Sequence, residues 1–170
     1  MPNNNKIIVL YLLLAIILIA SVFGMIVLMR GRVNETGTLF FRTKSVNLYF
    51  NNSQMDPGAS CNKVFPVKRR VKTGKGIEIV VLQELLGGPT DKEKEEGFFT
   101  NINPGVKIQN LDIKEGVAKV DFDEQLEFPV GGSCRVAAIR AEITETLKQF
   151  PYIKEVIISI DGRTEDILQP

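Results

Sequence analysis

Residues 131–163 read GGSCRVAAIRAEITETLKQFPYIKEVIISIDGR. The pattern predicts a helix, a turn and a strand, in that order. Ser133 is a candidate N-cap, because its hydroxyl can accept from an unpaired amide of the first turn. Val136, Ile139, Ile143, Leu147 and Phe150 recur at helical spacing and make one apolar stripe. Arg135, Glu142, Glu145 and Lys148 fall largely off that stripe and are expected to face water. Pro151 cannot continue the helix and biases Phe150 away from helical angles. Val156, Ile157, Ile158 and Ile160 then read as a β-branched strand, ended by Asp161-Gly162. The apolar helix face has to pack on a sheet, and this strand is the nearest candidate to belong to it.

Working outward, 170 residues leave room for one domain of about 120–130 residues and an N-terminal extension. The formal net charge of +1 hides an asymmetry. Lys6, Arg30 and Arg32 flank the apolar N-terminus, and every acidic residue lies after them, so the remainder is weakly acidic. That argues against generic nucleic-acid binding, which needs a concentrated positive field. The chain has no histidine. Ser-His-Asp and Cys-His nucleophile systems and histidine-containing metal sites are thereby excluded.

Ile7 to Met29 carries no charged residue. A helix of that length spans roughly 35 Å, enough to cross a bilayer core. Apolar residues on every face make a buried soluble helix a poor alternative. Val22-Phe23-Gly24 is a weak cleavage candidate, but the apolar run continues through Met29, which favours an uncleaved anchor. With no cysteine in the stretch, it offers no lipid-attachment site. Orientation is contested: only Lys6 and the amino terminus precede the span, whereas Arg30, Arg32, Arg42 and Lys44 follow it, which counted alone places the C-terminal part inside. Long domains translocate regardless of such charges.

Gly31 to Lys44 reads as a juxtamembrane linker and Val46 to Phe50 as a short strand. Asn51 to Ser60, NNSQMDPGAS, is rich in turn residues and is expected to be a loop. Lys63 to Val71 reads as a second strand, with Pro66 confining part of it to an edge. Lys68, Arg69, Arg70, Lys72 and Lys75 form the most basic patch. It is a candidate interaction patch for anionic lipid, anionic wall polymer or an acidic partner; the plainer reading is an edge strand protected from aggregation by its charges. Ile77 to Leu86 is locally ambiguous, since its first half favours a strand and its second a helix. Val106 to Leu111 and Val117 to Phe122 read as strands joined by a hairpin turn at Lys114-Glu115-Gly116.

Two blocks carry a family resemblance. ETLKQFPYIKEVIISIDG resembles the C-terminal signature of the GerMN domain of sporulation and spore germination. LQELLGGPTDKEKEEGFFTNINPG is similar to that family's helix, Gly-Pro-Thr turn, acidic residue and glycine, and Thr-x-x-Pro-x-Gly lead into the next strand. Here those positions are Leu85, Leu86, Gly88, Pro89, Thr90, Glu93, Gly97, Thr100, Pro104 and Gly105. Phe98-Phe99 and Asn103 are this chain's own choices, and its cysteines stand outside the general signature. The resemblance covers roughly residues 46–163. It implies a helix at 77–86, an extracytoplasmic domain, and small α+β modules that associate side by side in the envelope.

The expected fold is therefore α+β: a small mixed β-sheet with two amphipathic helices packed on one face, preceded by an N-terminal transmembrane helix. The divisions are a tail at 1–6, an anchor at 7–29, a linker at 30–45, the GerMN-like domain at 46–163 and a C-terminal tail at 164–170. Outside the cytoplasm, Cys61 and Cys134 read as one candidate disulfide, closing a loop of roughly 70 residues and worth about 2–4 kcal/mol. Two independent small residues, or a thiol at Cys134 activated by the helix N-terminus and Arg135, are the alternatives. Asp121, Asp123 and Glu124 are a weak carboxylate cluster for calcium or glycosidase chemistry. Gly131-Gly132-Ser133 could hold an anion, but a tight turn with a cap is the simpler reading.

The expected function is a membrane-anchored, extracytoplasmic, non-catalytic interaction or scaffold module of the bacterial envelope, in sporulation- or germination-type assemblies. No catalytic, cofactor or metal site is expected. Expected partners are an envelope protein or a second copy, the membrane through a single-pass anchor, and wall polymer, with no nucleic acid. The alternatives are a module that binds peptidoglycan or an anionic polymer, and a wall-acting enzyme for which Asp121, Asp123 and Cys134 are the residues to test.

Overall fold

The computed structural model describes residues 14–25, 43–74, 76–128 and 131–169. The chain divides into two compact units, Met1–Phe40 and Phe41–Pro170. In the first, residues 14–25 form helix α1, exposed along its described length. The rest of the expected 7–29 anchor lies outside the described residues, as do positions 30–42 of the expected linker. Among the described residues no helix is long and apolar enough to cross a membrane.

The second unit runs β1 (Thr43–Asn52), β2 (Phe65–Lys72), α2 (Ile77–Leu86), α3 (Asp91–Glu95), β3 (Phe98–Phe99), β4 (Ile108–Lys114), β5 (Val117–Phe122), a short 3-10 turn (Glu124–Leu126), α4 (Ser133–Lys148) and β6 (Glu155–Ile160). The class is α+β, but the single sheet expected from sequence is two. One is ordered β2-β1-β3 and the other β4-β5-β6, each three-stranded. Both pairings of β1 are antiparallel, as is β4 with β5, whereas β6 lies parallel to β5. A parallel neighbour needs a crossover, and α4 supplies it. The β4–β5 turn is Glu115-Gly116, both with positive φ, as a two-residue hairpin requires.

The two long helices of this unit, α2 and α4, do not lie on one face of one sheet. Each touches strands of both: α2 packs on β1, β2 and β4, and α4 packs on β1, β6 and α2. A single core results. It includes Leu48 and Phe50 of β1, Val120 and Phe122 of β5, Leu82 and Leu85 of α2, and the α4 stripe of Val136, Ile139, Ile143 and Leu147. Burial of Val81, Leu82 and Leu85 overrides the strand preference of Ile77 to Val81 and makes that segment a helix.

Two expectations about α4 are corrected. Ser133 is its first residue and not its N-cap; Gly132 (φ 92) takes that place, and no side chain caps the helix. Glu142 does not face water: it is fully buried, unlike the exposed Glu145 and Lys148.

The reason for two sheets lies along one edge of β1. Between residues 43 and 50, β1 pairs on one side with β2 only. On β1 the amide of Asn47 donates to Gln149 Oε1 (2.8 Å), and Gln149 Nε2 donates to the Asn47 carbonyl (2.7 Å). The amide of Tyr49 donates to Thr146 Oγ1 (3.0 Å). Side chains at the end of α4 thus satisfy backbone groups that another strand would otherwise have to pair. Gln149→Ala removes two of these bonds and should lower the urea unfolding free energy by about 1–3 kcal/mol. The neighbouring, exposed Lys148→Ala should change it by less than about 0.5 kcal/mol.

Candidate functional site

The basic patch is divided by the pleat of β2. Lys68, Arg70 and Lys72 point to the exposed side, while Arg69 is half-buried. Arg69 Nε and Nη2 donate to Glu93 Oε1 and Oε2 at 3.1 and 2.5 Å. Nη2 also donates to the Gly88 carbonyl (2.9 Å), and the guanidinium lies 5.7 Å from the centre of the Phe50 ring. Burial by itself would raise the Glu93 carboxyl. Hydrogen bonds from Arg69 and Thr90, with the charge of Arg69, outweigh that and hold it below the usual carboxylate range. Arg69 is therefore a structural tie, and the exposed row is Lys68, Arg70 and Lys72. Lys75 lies outside the described residues.

Of the carboxylates near the end of β5, Asp121 and Asp123 are engaged in holding the fold. Asp121 Oδ1 accepts from Ser159 Oγ (2.6 Å) and from the amide of Gly162 (2.9 Å). Asp123 Oδ1 accepts from the amide of Lys107 (3.0 Å), and Glu124 is exposed. Among the described residues no group of three or more cysteine, aspartate or glutamate side chains is arranged to hold a metal. Cys61 and Cys134 are joined in a disulfide, with their Cα atoms 4.7 Å apart and a sequence separation of 73. The bond fixes the loop after β1 to the first turn of α4.

Sequence reasoning missed a buried polar seam on α4. Glu142 Oε2 accepts from Thr100 Oγ1 (2.5 Å), and Oε1 accepts from the amide of Asn101 (2.8 Å). Asn101 Nδ2 donates to Asn51 Oδ1 (2.9 Å), and Asn51 Nδ2 donates to the Lys63 carbonyl (3.0 Å). About two turns towards the N-terminus, Arg135 donates to the Asn101 carbonyl (3.3 Å) and to Asn103 Oδ1 (2.6 Å). Arg135, Glu142, Thr146 and Gln149 recur at helical spacing beside the apolar stripe. That second, hydrogen-bonding periodicity was the available signal.

Against this seam opens a cleft of about 190 Å³. It lies between the loop after β1, strand β3 and the start of α4. Asn51, Asp56, Phe99, Asn101 and the disulfide are among its lining.

The Germane family model, described as sporulation and spore germination, matches residues 47–166. Among solved structures, the first GerMN domain of the sporulation protein GerM from Bacillus subtilis shares 22% identity, over 71% of this chain and 85% of that one, with a TM-score of 0.56. The tandem GerMN domains of the same protein also share 22% identity, with a TM-score of 0.56. That alignment covers 73% of this chain and 41% of the tandem structure, so this chain spans about two-fifths of it. At such identity the likeness shows the fold. No curated protein matches the chain in sequence.

Burial pushes the Glu142 carboxyl up to about 7, against the pull of hydrogen bonds from Thr100 and Asn101. The folded state thus keeps a proton that the unfolded chain releases near 4.5. The stability this contributes is complete below pH 4.5 and is lost as pH rises through 7. With no histidine to titrate in the same range, the unfolding free energy should fall by about 3 kcal/mol between pH 5 and pH 8. Glu142→Gln should flatten that slope. Urea titrations at a series of pH values check it, and a stability that rises with pH would refute it.

Proposed function

The chain belongs to the Germane family of sporulation and spore-germination domains, and from that membership we propose that it works as a membrane-anchored, extracytoplasmic, non-catalytic interaction module of the bacterial envelope. One observation carries this reading: the side chains best suited to chemistry are engaged in holding the fold. Asp121 and Asp123 bind backbone amides, Glu93 clamps Arg69, Glu142 ties α4 to residues 100–101, and Cys134 is bonded to Cys61. An acid–base or nucleophilic mechanism needs such groups aimed into open space within reach of a substrate.

The uncharged stretch 7–29 supports a single-pass anchor. The disulfide supports an oxidising compartment, hence a domain on the outer side of the membrane. The contact surface we assign is the exposed face of β2. Lys68, Arg70 and Lys72 stand there at alternate positions, opposite Asn47, Ser45 and Thr43 of β1. No acidic residue lies in either strand, and the exposed Lys68 and Arg70 suit an acidic patch on an envelope protein or a second copy.

The full chain drawn from an oxidising envelope should carry no titratable thiol, and protease added to intact protoplasts should digest residues 43–169. Changing Lys68, Arg70 and Lys72 together to glutamate should weaken association, read by light scattering and cross-linking, by about tenfold. Its Tm should stay within a few degrees of the wild type, since the three side chains are exposed. A protease-protected domain with two free thiols would overturn the extracytoplasmic placement, and unchanged association would move the contact off β2.

A further inference from the structure

The cleft beside the disulfide brings two chemistries together in a small space. One is apolar. Phe98 and Phe99 turn to opposite sides of β3, so Phe98 is buried while Phe99 stays 44% exposed and lines the cleft with Pro57, Ala138 and the disulfide. The other is a set of neutral polar groups: the amides of Asn51 and Asn101 and the hydroxyl of Ser60. Asn51 is itself only 6% exposed.

Charge narrows the ligand. The two ionisable residues of the lining, Asp56 and Lys63, face each other at 3.8 Å, and Asp56 also accepts from the amide of Ser60 (2.7 Å). The cleft therefore presents no surplus charge to an ion. Asn101 Nδ2 bonds Asn51 Oδ1 and Asn51 Nδ2 bonds the Lys63 carbonyl, but each side-chain amide keeps a second N–H, which a purely apolar ligand would leave unanswered at a desolvation cost. The chemistry that fits both halves is a neutral ring with one C–H face and a rim of hydroxyl or amide groups.

The walls are also fixed in advance. Asn52 Oδ1 accepts from the amides of Gln54 and Met55, both at 2.9 Å, and so shapes the start of the loop. The disulfide holds its other end on α4. A pre-ordered wall spares a ligand the entropy of ordering it.

We infer that the cleft is a glycan subsite that takes one neutral pyranose unit, with a ring face against Phe99 and the ring substituents toward Asn51 and Asn101. The size of the cleft suits a single sugar ring and not a longer buried segment. This subsite is independent of the basic face of β2. The interaction reading stands or falls by the β2 variants, whereas the subsite stands or falls by Phe99.

The probe is the β-1,4-linked tetramer of N-acetylglucosamine, titrated into the full chain and followed by calorimetry and saturation-transfer NMR. Saturable binding is expected, with saturation passing from protein to ring C–H protons. Phe99→Ala should weaken it by at least about tenfold, and Phe99→Tyr should retain it. Phe128→Ala removes an aromatic that is 70% exposed outside the cleft and should leave binding unchanged. A thermal melt on each variant confirms that the fold persists. Absence of saturable binding at millimolar tetramer, or equal binding by Phe99→Ala, would overturn the inference. So would a Phe99→Ala variant that loses self-association in a wild type that ignores the sugar, because the cleft would then be a socket for a protein side chain.

Discussion

The structure depends on a row of hydrogen bonds from one helix to the edge of β1 and to the segment that follows β3. Along α4, Arg135, Glu142, Thr146 and Gln149 reach backbone groups at Asn101, Tyr49 and Asn47. A strand edge normally needs another strand, a cover or a charge. Here a helix does the pairing with side chains, and Gln149 does it most fully because its amide can donate to and accept from the same residue, Asn47. The consequence is topological. Once that edge of β1 is satisfied, β4-β5-β6 has no reason to join it, and α4 sits between two small sheets where one larger sheet was expected.

This arrangement also gives the family's motif residues physical roles. Thr90 and Glu93 form a capping box that starts α3, and Glu93 then clamps Arg69. The Gly88 carbonyl accepts from the same Arg69, so the Gly-Pro-Thr turn and β2 are fastened by one guanidinium. Gly97 has φ 87, and a Cβ there would come within 2.7 Å of Gln54 Cγ and 3.1 Å of Asn52 Oδ1. A side chain at 97 would therefore push on Asn52, the residue that shapes the loop. Thr100 is the donor to buried Glu142. The motif encodes fastenings between segments, which is why recognising it names a fold and no reaction.

Much of this was legible in the residues and some was not, for a consistent reason. Val117 to Phe122 alternates cleanly and is β5; the stripe from Val136 to Leu147 is the core face of α4. Both signals are local and periodic. Ile77 to Val81 carries the opposite local signal from the helix it forms, because burial of Val81, Leu82 and Leu85 decides the matter. Glu142 looked like a solvated carboxylate because its partners, Thr100 and Asn101, are about forty residues away in sequence. Arg69 looked like part of a basic surface because Glu93 and Gly88 are brought to it only by the turn after α2. Hydropathy records what a residue prefers when alone, and these residues are not alone. The second sheet was hidden likewise: the polar row that includes Thr146 and Gln149 does not name its partners, which lie 97 and 102 residues away on β1.

The disulfide follows from the same logic. The 53–64 segment has no regular structure and cannot join either sheet, so its position must be fixed by its ends. Asn52 fixes one end, and Cys61 fixes the other by bonding to Cys134 in the first turn of α4. A crosslink over 73 residues restricts the unfolded chain and adds about 2–4 kcal/mol to the stability of the common core. With β1's edge, residues 100–103 and this loop all held by α4, the interior of the domain is committed. The surfaces we propose for recognition therefore lie at the outside: the outward row of β2, and the cleft where the loop pinned to α4 meets Phe99.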